Sequence, residues 1–215
     1  LEENRKGKHI LLEGAQGSFL DINFGTYPFV TSSHTISGGA SVGAGVPPRA
    51  IERIIGVTKA YTTRVGKGPF PTELKGPEGE HLREKGGEYG ATTGRPRRCG
   101  WLDLVALRFS VWINGASELA ITKLDSLAGM EVVKVARSYS LGGKEFLYPP
   151  LDLSDWYGVQ VNYVEFKGWG EISSVRRRED LPPEAKEYLD FIEDSLKIPI
   201  TYISVGKERE QIIAS

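Results

Sequence analysis

The chain has 215 residues, of which 40% are hydrophobic and 26% charged, which suits one large folded domain with a sizeable core and excludes a disordered chain. Lysine and arginine number 27 against 28 aspartates and glutamates, for a formal charge of -1, so no general polyanion-binding field exists, no nucleic-acid partner is expected, and any anion site must be local. A lone cysteine, Cys99, excludes an intramolecular disulfide and points to a reduced, cytoplasmic setting, His9, His34 and His81 lack metal-ligand spacing, and no apolar run approaches the roughly 20 residues of a membrane span.

The chain begins Leu1-Glu2-Glu3 rather than with methionine, and is expected to be part of a longer gene product. Lys8-His9-Ile10-Leu11-Leu12-Glu13 is an aliphatic run stopped by Gly14-Ala15-Gln16-Gly17, which predicts a buried strand delivering a loop. Small residues fill Gly38 to Gly45, and Pro47-Pro48 then opens an amphipathic stretch through Ile51, Ile54, Ile55 and Thr58, with proline where a first helical turn accepts it. Ala60 to Val65 is β-rich and ends at Gly66-Lys67-Gly68. The polar segment 66–100 shows little periodicity, and about 35 structureless residues in a domain usually mean a ligand loop. Leu102, Val105, Phe109, Trp112 and Ile113 recur at helical spacing with Asn114-Gly115 as a stop, an aromatic stripe expected in the core. Glu118 to Thr122 reads as a strand breaking at Lys123-Leu124-Asp125. Alternating runs at 132–140 and 159–166 read as an antiparallel excursion over about 130–168. Pro182-Pro183 starts a helix ending near Leu196, and Ile198 to Val205 is the last strand, closing at Gly206. The order predicts a single α/β domain over 1–215 with a mainly parallel central sheet flanked by helices.

In such a sheet, ligands gather outside the carboxyl ends of the strands. Gly14-Ala15-Gln16-Gly17 offers backbone N–H groups and an amide that can both donate and accept, or is a plain glycine turn. Gly90-Ala91-Thr92-Thr93-Gly94-Arg95-Pro96-Arg97-Arg98 combines close-approach glycines, hydroxyl donors and guanidiniums, which reads as a clamp for carboxylate or phosphate. No stacking aromatic lies in it, unlike a nucleic-acid patch. Thr122-Lys123-Leu124-Asp125 suits guanine: the carboxylate accepts from the ring N–H and the exocyclic amine, a donor pair adenine lacks. Ser204-Val205-Gly206 could complete a base pocket or be an ordinary turn.

These segments, with Asp21-Ile22-Asn23-Phe24-Gly25-Thr26-Tyr27-Pro28, Val30-Thr31-Ser32-Ser33, Thr63-Arg64-Val65-Gly66, Gly68-Pro69-Phe70-Pro71-Thr72-Glu73-Leu74 and Gly100-Trp101-Leu102-Asp103, resemble in this order the adenylosuccinate synthetase family. The resemblance covers nearly the whole chain. It implies a P-loop-related fold and a GTP- and Mg²⁺-dependent ligase of AMP biosynthesis, a cytoplasmic homodimer that joins IMP to L-aspartate through 6-phosphoryl-IMP. By position it implies that Gln16, Thr31, Val65 and Arg95 bind IMP, with Gln16 near the reacting purine edge and Thr31 at the 5′-phosphate. Gly90, Ala91, Thr92, Thr93, Gly94, Arg95 and Arg97 would receive aspartate. Arg97, Lys123, Leu124, Asp125, Ser204, Val205 and Gly206 would hold GTP.

Two departures stand out. Pro96 interrupts what the family commonly has as an all-arginine run and restricts Arg95 to extended backbone. The family's amino-terminal Gly-Asp-Glu-Gly-Lys-Gly-Lys phosphate loop does not occur in the sequence, nor do its base aspartate, which also binds Mg²⁺, and its catalytic histidine; His34 is no substitute. The chain thus reads as the carboxy-terminal part of such an enzyme, with metal ligands expected elsewhere and no turnover expected from these residues alone. Its rivals are a GTP-dependent switch, suggested by Thr-Lys-x-Asp, and a non-catalytic fragment or partner subunit.

Overall fold

A computed structural model describes residues 6–90 and 94–214. Its first half contains α1 (Ser37–Ala44), β1 (Ile55–Lys59), β2 (Thr62–Arg64), α2 (Pro77–Gly86), β3 (Arg98–Gly100), β4 (Leu102–Asp103) and α3 (Leu104–Asn114). The second half contains β5 (Glu118–Thr122), β6 (Val132–Leu141), β7 (Lys144–Phe146), the one-turn α4 (Leu153–Trp156), β8 (Gln160–Lys167), α5 (Pro183–Leu196), β9 (Ile200–Ser204) and β10 (Ile212–Ala214).

The predicted parallel sheet is present. Strands β1, β5 and β9 run parallel, and β10 closes the edge antiparallel to β9. Their short aliphatic sequences follow from burial, since Leu119, Ile121, Ile200 and Ile203 are all enclosed. Register sets Lys59 opposite Thr122 and Ile121 opposite Ile203, so the three parallel strands end side by side. Helix α5 covers this sheet through Ala185, Tyr188, Leu189 and Ile192, a stripe at i, i+3, i+4 and i+7. The Tyr188 hydroxyl donates to the Ala60 carbonyl at 2.6 Å and so fixes the helix to the tip of β1. Phe166 and Trp169 pack their rings against Tyr188 from β8 and the segment after it.

The antiparallel excursion also forms. Strand β6 lies between β8 on one side and β7 and β4 on the other, with β4 parallel to it. This second sheet holds α3 through its N-cap residue. Asp103 caps the helix by accepting from the Ala106 N–H at 3.1 Å, and its other oxygen accepts from the buried Tyr139 hydroxyl. Burial pushes the Asp103 carboxyl up to about 6, although the Tyr139 and Ala106 hydrogen bonds pull the other way. With its folded value above the ordinary 3.8, the native state binds the extra proton. This group's stabilising contribution is complete below about pH 4 and is lost as pH rises through about 6, a change of about 3 kcal/mol. Asp103→Asn keeps an N-cap oxygen and should flatten that component. Chemical unfolding of both forms from pH 4 to 7 checks this, and parallel pH curves would refute it.

Several local expectations give way to tertiary structure. Lys8 to Glu13 forms no strand; no strand lies alongside it among the described residues, and Ile10 and Leu11 are 56% and 85% exposed. The stretch after Pro47 is only a 3-10 turn, Pro48–Ala50, before β1. Pairing with β5 outweighs its helical spacing, and Gly56 admits the close approach, since a Cβ there would meet Leu119 Cδ2 at 2.9 Å. The loop over 66–100 is interrupted by α2, which has Pro77 in its first turn, acids at Glu78 and Glu80, and Arg83 and Lys85 in its last turn. Of its side chains with any bulk only Leu82 is buried, so apolar periodicity was invisible. Trp112 faces outward, 66% exposed, rather than joining the core.

Candidate functional site

The aligned strand ends carry the expected polar residues. After β5 the chain turns at Lys123, whose φ of 60° lies in the left-handed region, and enters a 3-10 turn at Leu124–Leu127. The Lys123 ammonium donates to the Gly86 carbonyl at 2.6 Å and to Glu88 Oε1 at 2.9 Å. Beyond it, Asp125 Oδ1 is buried and has no hydrogen-bond partner among the described residues. Burial raises the Asp125 pKa, with its own backbone N–H, Lys123 and Lys85 opposing. An acceptor taken from water without a donor is costly, and a ligand N–H would satisfy it.

Ser204 ends β9, and Val205 and Gly206 follow it at the same end of the sheet. The Ser204 hydroxyl donates to the Gly206 carbonyl at 2.8 Å, and Val205 N–H donates to the Gln211 carbonyl at 2.9 Å, so both serve the turn itself. Gly206 is dictated by space: a Cβ there would lie 2.1 Å from Gln211 Oε1. That amide is pinned, its oxygen accepting from Glu208 N–H and its nitrogen donating to the Ser173 carbonyl. Leu124 and Val205 are fully enclosed, so neither presents an open surface to a ligand here.

The described ends of the Gly90–Arg97 segment, here the arch, are pinned together. Gly90 N–H donates to the Arg95 carbonyl at 2.9 Å, Gly94 N–H to the Gly90 carbonyl at 2.8 Å, and Arg97 N–H to the Glu88 carbonyl at 2.9 Å. Tyr89 and Pro96 form an antiparallel bridge between them. Ala91, Thr92 and Thr93, expected to receive a carboxylate, lie outside the described residues. Arg95 is exposed on the arch. Arg97 donates Nη1 to Glu88 Oε2 at 2.9 Å, while its Nε is buried and without a partner among the described residues. The neighbouring Arg98 does not join a clamp: it is held bidentately by Glu73 at 2.7 and 2.6 Å and by the Gly66 and Gly68 carbonyls.

Arg64, next to Val65, braces the turn that precedes Thr31. Its guanidinium donates to Thr26 Oγ1 at 2.8 Å and the Phe29 carbonyl at 3.1 Å, while β2 pairs with β3, Arg64 opposite Arg98. The turn carrying Thr31 is built on Asp21, which is wholly buried and accepts from the N–H groups of Asn23, Phe24, Thr35 and Ile36. Burial would raise the Asp21 pKa, but those backbone donors outweigh it and lower the value. Gln16 is exposed with φ 62°, and no hydrogen bond among the described residues joins it to Thr31 or Val65.

Sequence reasoning missed Glu88. It is buried and collects Tyr61, Lys59, Lys123 and Arg97. Burial would raise its pKa, but hydrogen bonds from Lys59, Tyr61 and Lys123 hold it down at about 2. Its position just before Gly90-Ala91-Thr92-Thr93 was the only local signal. Among the described residues no group of His, Cys, Asp and Glu could hold a metal ion, and no helix is long and apolar enough to cross a membrane.

Comparison with known proteins agrees with these motifs. The family model for adenylosuccinate synthetase matches residues 1–213. The adenylosuccinate synthetase of Thermodesulfovibrio yellowstonii is 57% identical over 208 residues, which cover 96% of this chain and 49% of that protein. That of Caenorhabditis briggsae is 54% identical over 213 residues, 99% of this chain and 49% of the relative. Among solved structures, fully ligated adenylosuccinate synthetase from Plasmodium falciparum superposes with a TM-score of 0.97 at 42% identity, covering 100% of this chain and 52% of the other. The chain therefore spans about half the length of the curated relatives it matches.

Proposed function

The chain belongs to the adenylosuccinate synthetase family, and from that premise we propose that it supplies the guanine-recognition and dicarboxylate-binding part of a cytoplasmic, dimeric ligase that joins IMP to L-aspartate with hydrolysis of GTP. The observation that carries this reading is the buried, unpartnered Asp125 oxygen at the strand tip beside Lys123. Guanine presents two adjacent donors, its ring N–H and exocyclic amine, and a carboxylate accepts both. Lys123 is held over the same tip by Glu88 and the Gly86 carbonyl, which leaves its alkyl stem to cover a base face.

Arg95 and Arg97 rise from the neighbouring arch, where guanidinium forks suit the two carboxylates of aspartate. Thr31 and Val65 follow from the turn braced by Arg64, with Gln16 proposed at the purine edge of IMP. Mg²⁺ would offset the charge of the transferring phosphoryl group. The described residues do not fit that ion, so its ligands are proposed to lie outside them.

The test uses the complete protein with IMP, aspartate, GTP and Mg²⁺, following adenylosuccinate and phosphate together. Stoichiometric release that needs all three substrates is expected; phosphate release without IMP and aspartate would mean a GTP switch instead. The 215-residue chain alone should give no turnover, because its sequence has no glycine-rich phosphate loop to position the transferring group. Adenylosuccinate made by that polypeptide would overturn the division of labour.

A further inference from the structure

Resting on that functional reading, we propose that Glu88 is a positioning residue that couples the guanine-recognition turn to the dicarboxylate arch, so that losing its carboxylate loosens both sites together. One oxygen, Oε1, accepts from the Tyr61 hydroxyl at 2.6 Å and Lys123 Nζ at 2.9 Å, and lies 2.8 Å from Lys59 Nζ. The other, Oε2, accepts from Arg97 Nη1 at 2.9 Å. A single carboxyl group therefore joins the tip of β1, the turn after β5 and the base of the arch. The backbone adds a second fastening, the Arg97 N–H to the Glu88 carbonyl. Gly86 lets the cluster close, because a Cβ at that position would sit 2.1 Å from the Tyr61 hydroxyl.

The charges do not balance within the cluster. Lys59, Lys123 and Arg97 face one carboxylate that burial alone would neutralise but that hydrogen bonds from Lys59, Tyr61 and Lys123 keep ionised. The site is left positive, and Arg97 Nε is buried with no partner among the described residues. An anionic ligand taken by the Arg97 fork would weaken its hold on Oε2 and leave more of the carboxylate's charge for Lys123 and Lys59. Occupancy on the arch is thereby felt at the base pocket, and by linkage the reverse holds. Stability alone does not account for the cluster, since buried ion pairs can often be replaced by apolar residues without loss.

The discriminating variant is Glu88→Gln in the complete protein. Its amide oxygen can still accept from Tyr61 and the lysines, but its NH₂ would face Arg97 donor to donor, so Arg97 is released first. Expected are KM values for aspartate and GTP raised together by roughly tenfold, with the IMP KM within about twofold of the parent. Combined with Arg97→Leu, Glu88→Gln should add little to the aspartate KM, because both remove the same link. Glu88→Asp keeps the charge with a shorter reach and should raise the same two KM values together by a smaller factor; should Glu88→Gln not fold, a rise in only one of them in Glu88→Asp would overturn the coupling. A fall in kcat or melting temperature with all three KM values unchanged would overturn the coupling. So would additive effects with Arg97→Leu, or wild-type KM values for aspartate and GTP in both Glu88 variants. If the unmutated protein makes no adenylosuccinate, the functional reading fails instead.

Discussion

Asp125→Asn should shift the proposed nucleotide preference of the complete protein from GTP to XTP. The carboxylate lies at the end of β5 with Oδ1 buried and unpartnered among the described residues, so its contribution depends on what donates to it. Guanine donates from two adjacent positions, whereas asparagine offers one acceptor and one donor. The amide nitrogen would then oppose the guanine amine, and an unpaired buried donor costs about 1–3 kcal/mol, or roughly 10- to 100-fold in kcat/KM. Xanthine carries an oxygen where guanine has the amine and restores a matched pair. Initial rates with both nucleotides in the complete protein decide the matter, and an unchanged preference for GTP would remove Asp125 from the pocket.

Arg95 and Arg97 should separate under the same kinetic treatment. Arg95 stands exposed on the arch, restricted to extended backbone by Pro96, and Arg95→Leu should raise the KM for aspartate most. Arg97 is half-buried between the arch and Glu88, so Arg97→Leu should raise the KM for aspartate and GTP together. Losing a charge-assisted fork at either position should cost roughly 10- to 100-fold. Lysine at each position is the control, because it keeps the charge but not the fork and should rescue only in part. Identical profiles at the two positions, or full rescue by lysine, would point to a diffuse basic surface.

Much of the scaffold was legible because local pattern and tertiary environment agree. Ala185, Tyr188, Leu189 and Ile192 sit at helical spacing and are buried, and α5 begins at Pro183 as the paired prolines predict. The turn at Lys123–Asp125 was legible because an aliphatic strand breaks there into polar residues. Lys8 to Glu13 misled because apolar composition makes a strand only beside another strand. Glu88 had only its place just before Gly90 to mark it. It stands in a polar stretch after α2, and only the fold brings Lys59 and Lys123 to it from distant parts of the sequence, while Arg97 lies nine residues on.

Position 123 should tolerate very little substitution, for two reasons that select in opposite directions. Its backbone is left-handed, at φ 60°, where a Cβ costs roughly 1–2 kcal/mol and where glycine or asparagine would be at ease. Its side chain must nonetheless carry a cation far enough to reach both the Gly86 carbonyl and Glu88. Residues that suit the backbone bring no positive charge, and most residues that fill the space strain the turn. In a library randomised at this codon, selection for foldability and selection for nucleotide binding would enrich different residues, leaving lysine as the compromise between them.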